Sequence, residues 1–170
     1  MSLSHEGGCL CNAIRYRVSA PPQRVTVCHC TFCQRITGSG YLVEPGFLRD
    51  DVTFEGRATA TYDHVSDGSG ARVTLNFCPV CAAKLYLELE RFPEAYGLFG
   101  GTFDDPGWLP RGGDACRHIF VESAQPGTVL PPGVALYPGH ASPVGGGPTQ
   151  PLVLAHALVV GPAGDLKGMA

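Results

Sequence analysis

Seven of the eight cysteines in this 170-residue chain fall into three clusters, and nothing else in the sequence limits the fold so strongly. They are Cys9-Leu10-Cys11, Cys28-His29-Cys30-Thr31-Phe32-Cys33 and Cys78-Pro79-Val80-Cys81. The start, Met1-Ser2-Leu3-Ser4-His5-Glu6, carries no charged stretch leading into an apolar core, so no secretory signal is readable. A cytoplasmic location is expected. Thiol pools there keep ordinary cysteines reduced, and clustered cysteines serve metal binding or catalysis instead of a disulfide framework. Zinc is the expected ion.

Cys78-Pro79-Val80-Cys81 has the spacing of a zinc knuckle, a tight turn that sets two thiolates on one side while backbone N–H groups donate to the sulfurs. A closed tetrahedral site takes four ligands, and Cys9 and Cys11 are the natural complement to Cys78 and Cys81. In an extended Cys-x-Cys both sulfurs share one face, so Leu10 is expected to enter the core. Such a site would staple the beginning of the chain to its middle. Apparent binding energies of about 10–16 kcal/mol for structural zinc rival the roughly 5–15 kcal/mol stability of a whole domain. Metal is then a condition of folding.

The same alternation turns His29 away from Cys28 and Cys30, while Cys33 returns one short turn later. Three converging thiolates leave a fourth position vacant, which distinguishes a catalytic zinc from a structural one. A ligand from Cys116 or His118 would instead close the shell. Three thiolates outweigh the charge of a divalent ion, which makes it a poor activator of water and a good host for a substrate thiol beside an electrophile. The expected reaction is addition of a thiol to a small carbonyl compound, or its reverse, with Cys28, Cys30 and Cys33 as catalytic residues. The competing readings are a non-catalytic zinc scaffold that binds a partner protein, and a redox switch at the second cluster.

Around the clusters the chain reads as mostly β. Ile14, Tyr16 and Val18 alternate with Arg15 and Arg17, and Leu85, Leu87 and Leu89 with Tyr86, Glu88 and Glu90, the period of half-buried strands. Further β-like runs are Val25 to Cys28, Tyr41 to Val43, Ala58 to Tyr62, Val73 to Phe77, Tyr96 to Phe99 and His118 to Glu122. Helix is expected only in short turns, at Thr31 to Ile36 and Pro93 to Tyr96. From Ser123 to Gly164 no residue is charged and Pro and Gly recur, as in Gly145-Gly146-Gly147-Pro148. Regular structure is not expected there. The apolar stretch Leu152 to Val160 should pack on the body or meet a partner, which makes the extension a candidate surface for homo-oligomers. At about half of the roughly 20 residues a bilayer requires, it is not a membrane span. The formal net charge of −3 supplies no basic field for nucleic acid or anionic lipid.

Taken together, Gly7-Gly8-Cys9-Leu10-Cys11, Cys28-His29-Cys30-Thr31-Phe32-Cys33-Gln34-Arg35, Thr37-Gly38-Ser39 and Phe77-Cys78-Pro79-Val80-Cys81 resemble the glutathione-dependent formaldehyde-activating enzyme and centromere protein V family. The resemblance continues through Gly101-Thr102-Phe103-Asp104-Asp105 and His118-Ile119-Phe120-Val121-Glu122. It implies an Mss4-like β-tent over residues 5–122, and the irregular extension expected over 123–170 lies outside it. It also implies two zinc ions: a structural one on Cys9, Cys11, Cys78 and Cys81, and a catalytic one on Cys28, Cys30 and Cys33. The implied activity joins glutathione to formaldehyde, in the carbon–sulfur lyase class. The family's usual glycines after Cys11 and Cys81 are Asn12 and Ala82 here. Alanine takes left-handed backbone angles poorly, so a different second turn is expected.

Other candidates have plainer readings. Cys116 and His29 are expected to be packing residues, and Trp108 a core residue. His5, His64, His140 and His156 read as surface or loop residues, and Thr37-Gly38-Ser39, Asp104 and Asp105 as turn residues. Arg35 could hold a substrate carboxylate in a two-pronged hydrogen bond or lie in solvent.

Overall fold

The structure, a computed structural model, describes residues 4–147 and 149–162. Met1-Ser2-Leu3, Pro148 and residues 163–170, the end of the expected extension, lie outside the described residues. The strands are β1 (His5–Gly8), β2 (Ile14–Val18), β3 (Arg24–Cys28), β4 (Leu42–Leu48), β5 (Val52–Gly56), β6 (Ala60–Val65), β7 (Arg72–Phe77), β8 (Lys84–Leu89), β9 (Ala95–Leu98) and β10 (Cys116–Ile119). Four two-residue strands follow: β11 (Val129–Leu130), β12 (Ala135–Leu136), β13 (Leu152–Val153) and β14 (Leu158–Val159). One α-helix, α1 (Thr31–Thr37), is described. The protein is mostly β, as its alternating runs require.

The chain forms two compact units: residues up to Arg24 with Glu44–Leu109, and Val25–Val43 with the residues from Pro110 onward. In the first, β2 lies between β1 and β5, antiparallel to both. Its Ile14, Tyr16 and Val18 are buried while Arg17 is exposed, the pattern that the alternation predicts. A second set of strands runs β4-β9-β8-β7-β6, all antiparallel. Leu85 and Leu87 of β8 point into its core with Leu75, Phe47 and Leu98.

Strand β1 escapes a periodicity argument because half of it is glycine, and the reason is steric. A Cβ on Gly7 would collide with the ring of Tyr16 and the carbonyl oxygen of Thr102. The Tyr16 hydroxyl reaches the Thr102 Oγ1 at 2.8 Å across that space. Pro93 and Glu94 form a turn and not a helix, because Tyr96 belongs to β9 and pairs with Phe47 and Glu88.

In the second unit β10 runs parallel to β3, with Cys116 opposite Val25 and Ile119 opposite Cys28. It stops there: Phe120 takes left-handed angles, φ 56° and ψ 40°, and Val121–Ser123 forms a 3-10 turn where the sequence pattern continued the strand. Strand β12 flanks β10 in parallel, β13 pairs with β12, and β11 pairs with β14. The extension therefore carries short ladders that its Pro and Gly content concealed. Its apolar stretch packs inward: Leu152, Leu154 and Leu158 lie against a buried cluster of Val121, Ala124, Leu130, Leu136 and Val160. No described helix is long and apolar enough to cross a membrane.

Candidate metal centres

The first unit brings Cys9, Cys11, Cys78 and Cys81 together, with all four sulfurs within 4.8 Å of one another. Two hairpin-like turns present them. In one, the Asn12 N–H donates to the Cys9 carbonyl at 3.1 Å and the Cys9 N–H to the Ile14 carbonyl at 3.0 Å. In the other, the Ala82 N–H donates to the Cys78 carbonyl and the Cys78 N–H to the Ala83 carbonyl, both at 2.9 Å. Backbone N–H groups also reach sulfur, from Ile14 to Cys9 at 3.3 Å and from Val80 to Cys78 at 3.4 Å.

Both turns close through a left-handed residue, Asn12 at φ 57° and Ala82 at φ 60°. The second turn thus takes left-handed angles at Ala82 itself, which its Cβ was expected to disfavour. The closing hydrogen bonds demand the conformation, at a cost of about 1–2 kcal/mol for a side chain with a Cβ. Leu10 also departs from expectation, being 86% exposed and not a core residue. Residues 9–12 turn instead of running extended, which lifts Leu10 to the tip.

Zinc fits this donor set. A tetrahedron of thiolates at about 2.3 Å from the ion has edges near 3.8 Å, and the Cys9–Cys11 and Cys11–Cys78 sulfurs are 3.6 and 3.7 Å apart. Cys81 is pushed down to about 6, chiefly by a backbone hydrogen bond at Ala83 and by contacts with Cys11.

The second unit holds Cys28, Cys30 and Cys33, again with all sulfurs within 4.8 Å of one another. Cys28 ends β3, Cys30 caps α1 and Cys33 lies in its first turn. The Cys30 sulfur accepts from the Cys33 N–H at 3.4 Å, the part that a serine or aspartate oxygen usually plays. Gly38, at φ 66°, ends the helix by donating to the Gln34 carbonyl, and Thr37 Oγ1 donates to the Cys33 carbonyl at 2.7 Å. Thr37-Gly38-Ser39 is therefore the helix cap, in keeping with its turn reading.

Among the described residues no fourth histidine, cysteine or carboxylate joins the three thiols. Cys116 is buried elsewhere on β10. Cys28 and Cys33 are buried and Cys30 is half-buried. Hydrogen bonds from the Cys28 and Cys33 thiols bring Cys30 down to about 3, and the hydrogen bonds among the three push Cys28 and Cys33 up. Three soft donors of this kind suit zinc with three protein ligands.

His29 packs behind this cluster, fully buried, with its Nε2 3.0 Å from Nδ1 of His118 and its ring 5.5 Å from Tyr41. Burial pushes both imidazoles down to about 4. The His29 Nδ1 is buried without a protein partner. Arg35 is exposed on α1.

Several residues with plain sequence readings have definite partners. Asp104 is more than a turn residue, since its carboxylate pairs with the Arg15 guanidinium, which holds it below the usual aspartate range. His5 lies in β1 and stacks on Trp108 with ring centroids 3.7 Å apart. Trp108 in turn meets Phe47 and Phe103. Gln34 was not singled out by spacing at all, yet its side chain bonds His29, Ser123 and Gln125. Only the Cys33-Gln34 adjacency hinted at it.

Fold and site together define a mostly β protein with one four-cysteine and one three-cysteine group able to hold metal. The family model for glutathione-dependent formaldehyde-activating enzyme matches residues 4–123. A Halomonas elongata protein named "Putative glutathione-dependent formaldehyde-activating enzyme" is 31% identical over 121 residues, 69% of this chain and 75% of that one. A solved structure of a Rhodobacter sphaeroides protein aligns at 19% identity and TM-score 0.47, over 62% of this chain and 92% of its own. The chain belongs to the glutathione-dependent formaldehyde-activating enzyme family.

Proposed function

We propose that the three-cysteine centre is the catalytic site of a zinc enzyme that adds glutathione or a similar thiol to formaldehyde or another small carbonyl compound, or runs the reverse. The observation that carries this reading is the convergence of three thiol donors, with no fourth protein donor among the described residues. The four-cysteine group, with its complete shell, is the structural counterpart. A zinc ion on Cys28, Cys30 and Cys33 supplies a coordination position suited to a thiol. The family match and the name of the Halomonas relative support glutathione and formaldehyde as the substrates.

In the addition the thiol loses its proton, its sulfur bonds to the carbonyl carbon, and the carbonyl oxygen gains a proton. Cys28, Cys30 and Cys33 would hold the ion, and the exposed guanidinium of Arg35 on α1 would take a substrate carboxylate. Residues 5–122 carry both ions in this reading, 123–170 extend them, and the enzyme works in the cytoplasm.

The test is NMR exchange between glutathione plus formaldehyde and their adduct, catalysed by zinc-loaded protein. Wild type is expected to accelerate exchange, and Cys30→Ser, once shown to be folded by circular dichroism, to leave it at the uncatalysed rate. Equal exchange with and without wild type would reject the reading.

A further inference from the structure

Gln34 uses every polar atom of its amide. Its Nε2 donates to the carbonyl oxygens of His29 at 2.6 Å and Ser123 at 2.7 Å, and its Oε1 accepts from Gln125 Nε2 at 2.9 Å. Carbonyl oxygens only accept, so these partners fix which end of the amide points where.

The His29 carbonyl is one of three restraints on a residue that stands between two cysteines of one centre. Its N–H donates to the Ile119 carbonyl at 3.0 Å, and its ring meets His118 at 3.0 Å. Backbone donor, backbone acceptor and side chain are all held, and the residue is fully buried. The peptide units on either side of His29 set the directions in which Cys28 and Cys30 project.

From this we infer that Gln34 is a positioning residue of the three-cysteine centre: it holds the His29 backbone, and so the Cys28 to Cys30 geometry, and ties that geometry to Ser123 and Gln125. The inference rests on reading the three cysteines as a metal centre. A shell of three protein ligands has one fewer internal constraint than a shell of four, so its shape depends more on the groups that hold the ligands. Ser123 is the last residue of the family match and Gln125 lies just past it. The start of the extension is thereby part of the frame of the centre.

The test uses the full chain loaded with cobalt(II), whose visible bands report thiolate ligation, in wild type, Gln34→Ala, Gln34→Met and Gln125→Ala. Cys30→Ser identifies the bands of the three-cysteine centre. Gln34→Ala and Gln34→Met are expected to lower cobalt affinity about 10- to 100-fold at that centre and to shift its bands. The other ion should be released to chelator at the wild-type rate, which shows that the chain is still folded. Gln125→Ala should give a smaller loss at the same ion. Equal weakening of both ions, or of neither, would overturn the inference. Should wild type take up a single ion, the metal reading of the three cysteines fails, and hydrogen exchange at the His29 N–H decides the positioning role. Faster exchange in Gln34→Ala sustains it; an unchanged rate overturns it.

Discussion

The two cysteine groups use the same element in opposite ways. The four-cysteine group is built from two turns, with Cys11 exposed and Cys81 half-buried, and the tips Leu10 and Val80 in solvent. Its geometry is local: each turn is closed by its own hydrogen bonds and a left-handed residue, and the sulfurs complete the join. The three-cysteine group has one thiol fewer and is the more buried. Its shape is set from outside, by a strand end, a helix cap and the restraints on His29. A complete shell can stand on its own ligands, whereas an incomplete one depends on its surroundings.

The largest effect that would sharpen this contrast is the loss of a ligand from each group. Cys78→Ser is expected to abolish cooperative folding, because about 10–16 kcal/mol of apparent binding energy matches the whole stability of a domain. Cys30→Ser should stay folded and keep one zinc ion. Circular dichroism with zinc stoichiometry checks both; a folded, two-zinc Cys78→Ser protein would break the comparison.

Next in size is the core beneath the extension. Leu136→Ala removes a fully buried side chain from the cluster with Val121 and Leu130, and should destabilise by about 2–5 kcal/mol in denaturant unfolding. A loss below about 1 kcal/mol would mean that the extension contributes little to the second unit.

A smaller and opposite effect is expected at Ala82. Ala82→Gly relieves the cost of left-handed angles and should raise stability by about 1 kcal/mol, with unchanged zinc binding. Destabilisation would show that the turn is not held by its hydrogen bonds as described.

The smallest effect belongs to Arg15 and Asp104. Asp104 is exposed and Arg15 half-buried, so Asp104→Asn should cost about 0.2–1 kcal/mol at neutral pH and less in high salt. Because pairing lowers the carboxyl pKa, this contribution is present above about 4, the unfolded value, and fades as pH falls through the lower folded value. Wild type and variant should therefore converge in acid when their unfolding curves are compared.

Much of this was legible in the residues. The alternation in β2 and β8 marked both strands and their buried faces, and the spacing of the cysteines assembled the two groups that the structure brings together. Other features were hidden for physical reasons. An extended Cys9 to Cys11 would turn Leu10 inward, but the turn there depends on a hydrogen bond from Asn12 that periodicity does not register. The short ladders of the extension lay under proline and glycine, since two-residue strands leave no period to read.

By itself the sequence determined the donor chemistry: seven cysteines in three spacings supply soft donors, which divide into a group of four and a group of three able to hold metal. Tertiary structure alone decided what surrounds the incomplete shell. His29 meets His118, and Gln34 meets Ser123 and Gln125, each across 89 or 91 residues of chain. Such contacts arise from the parallel pairing of β3 with β10 and from the turn that Phe120 imposes afterwards. Local spacing fixes which atoms could bind a metal, while the partners that orient those atoms are chosen by strands that meet only when the chain folds.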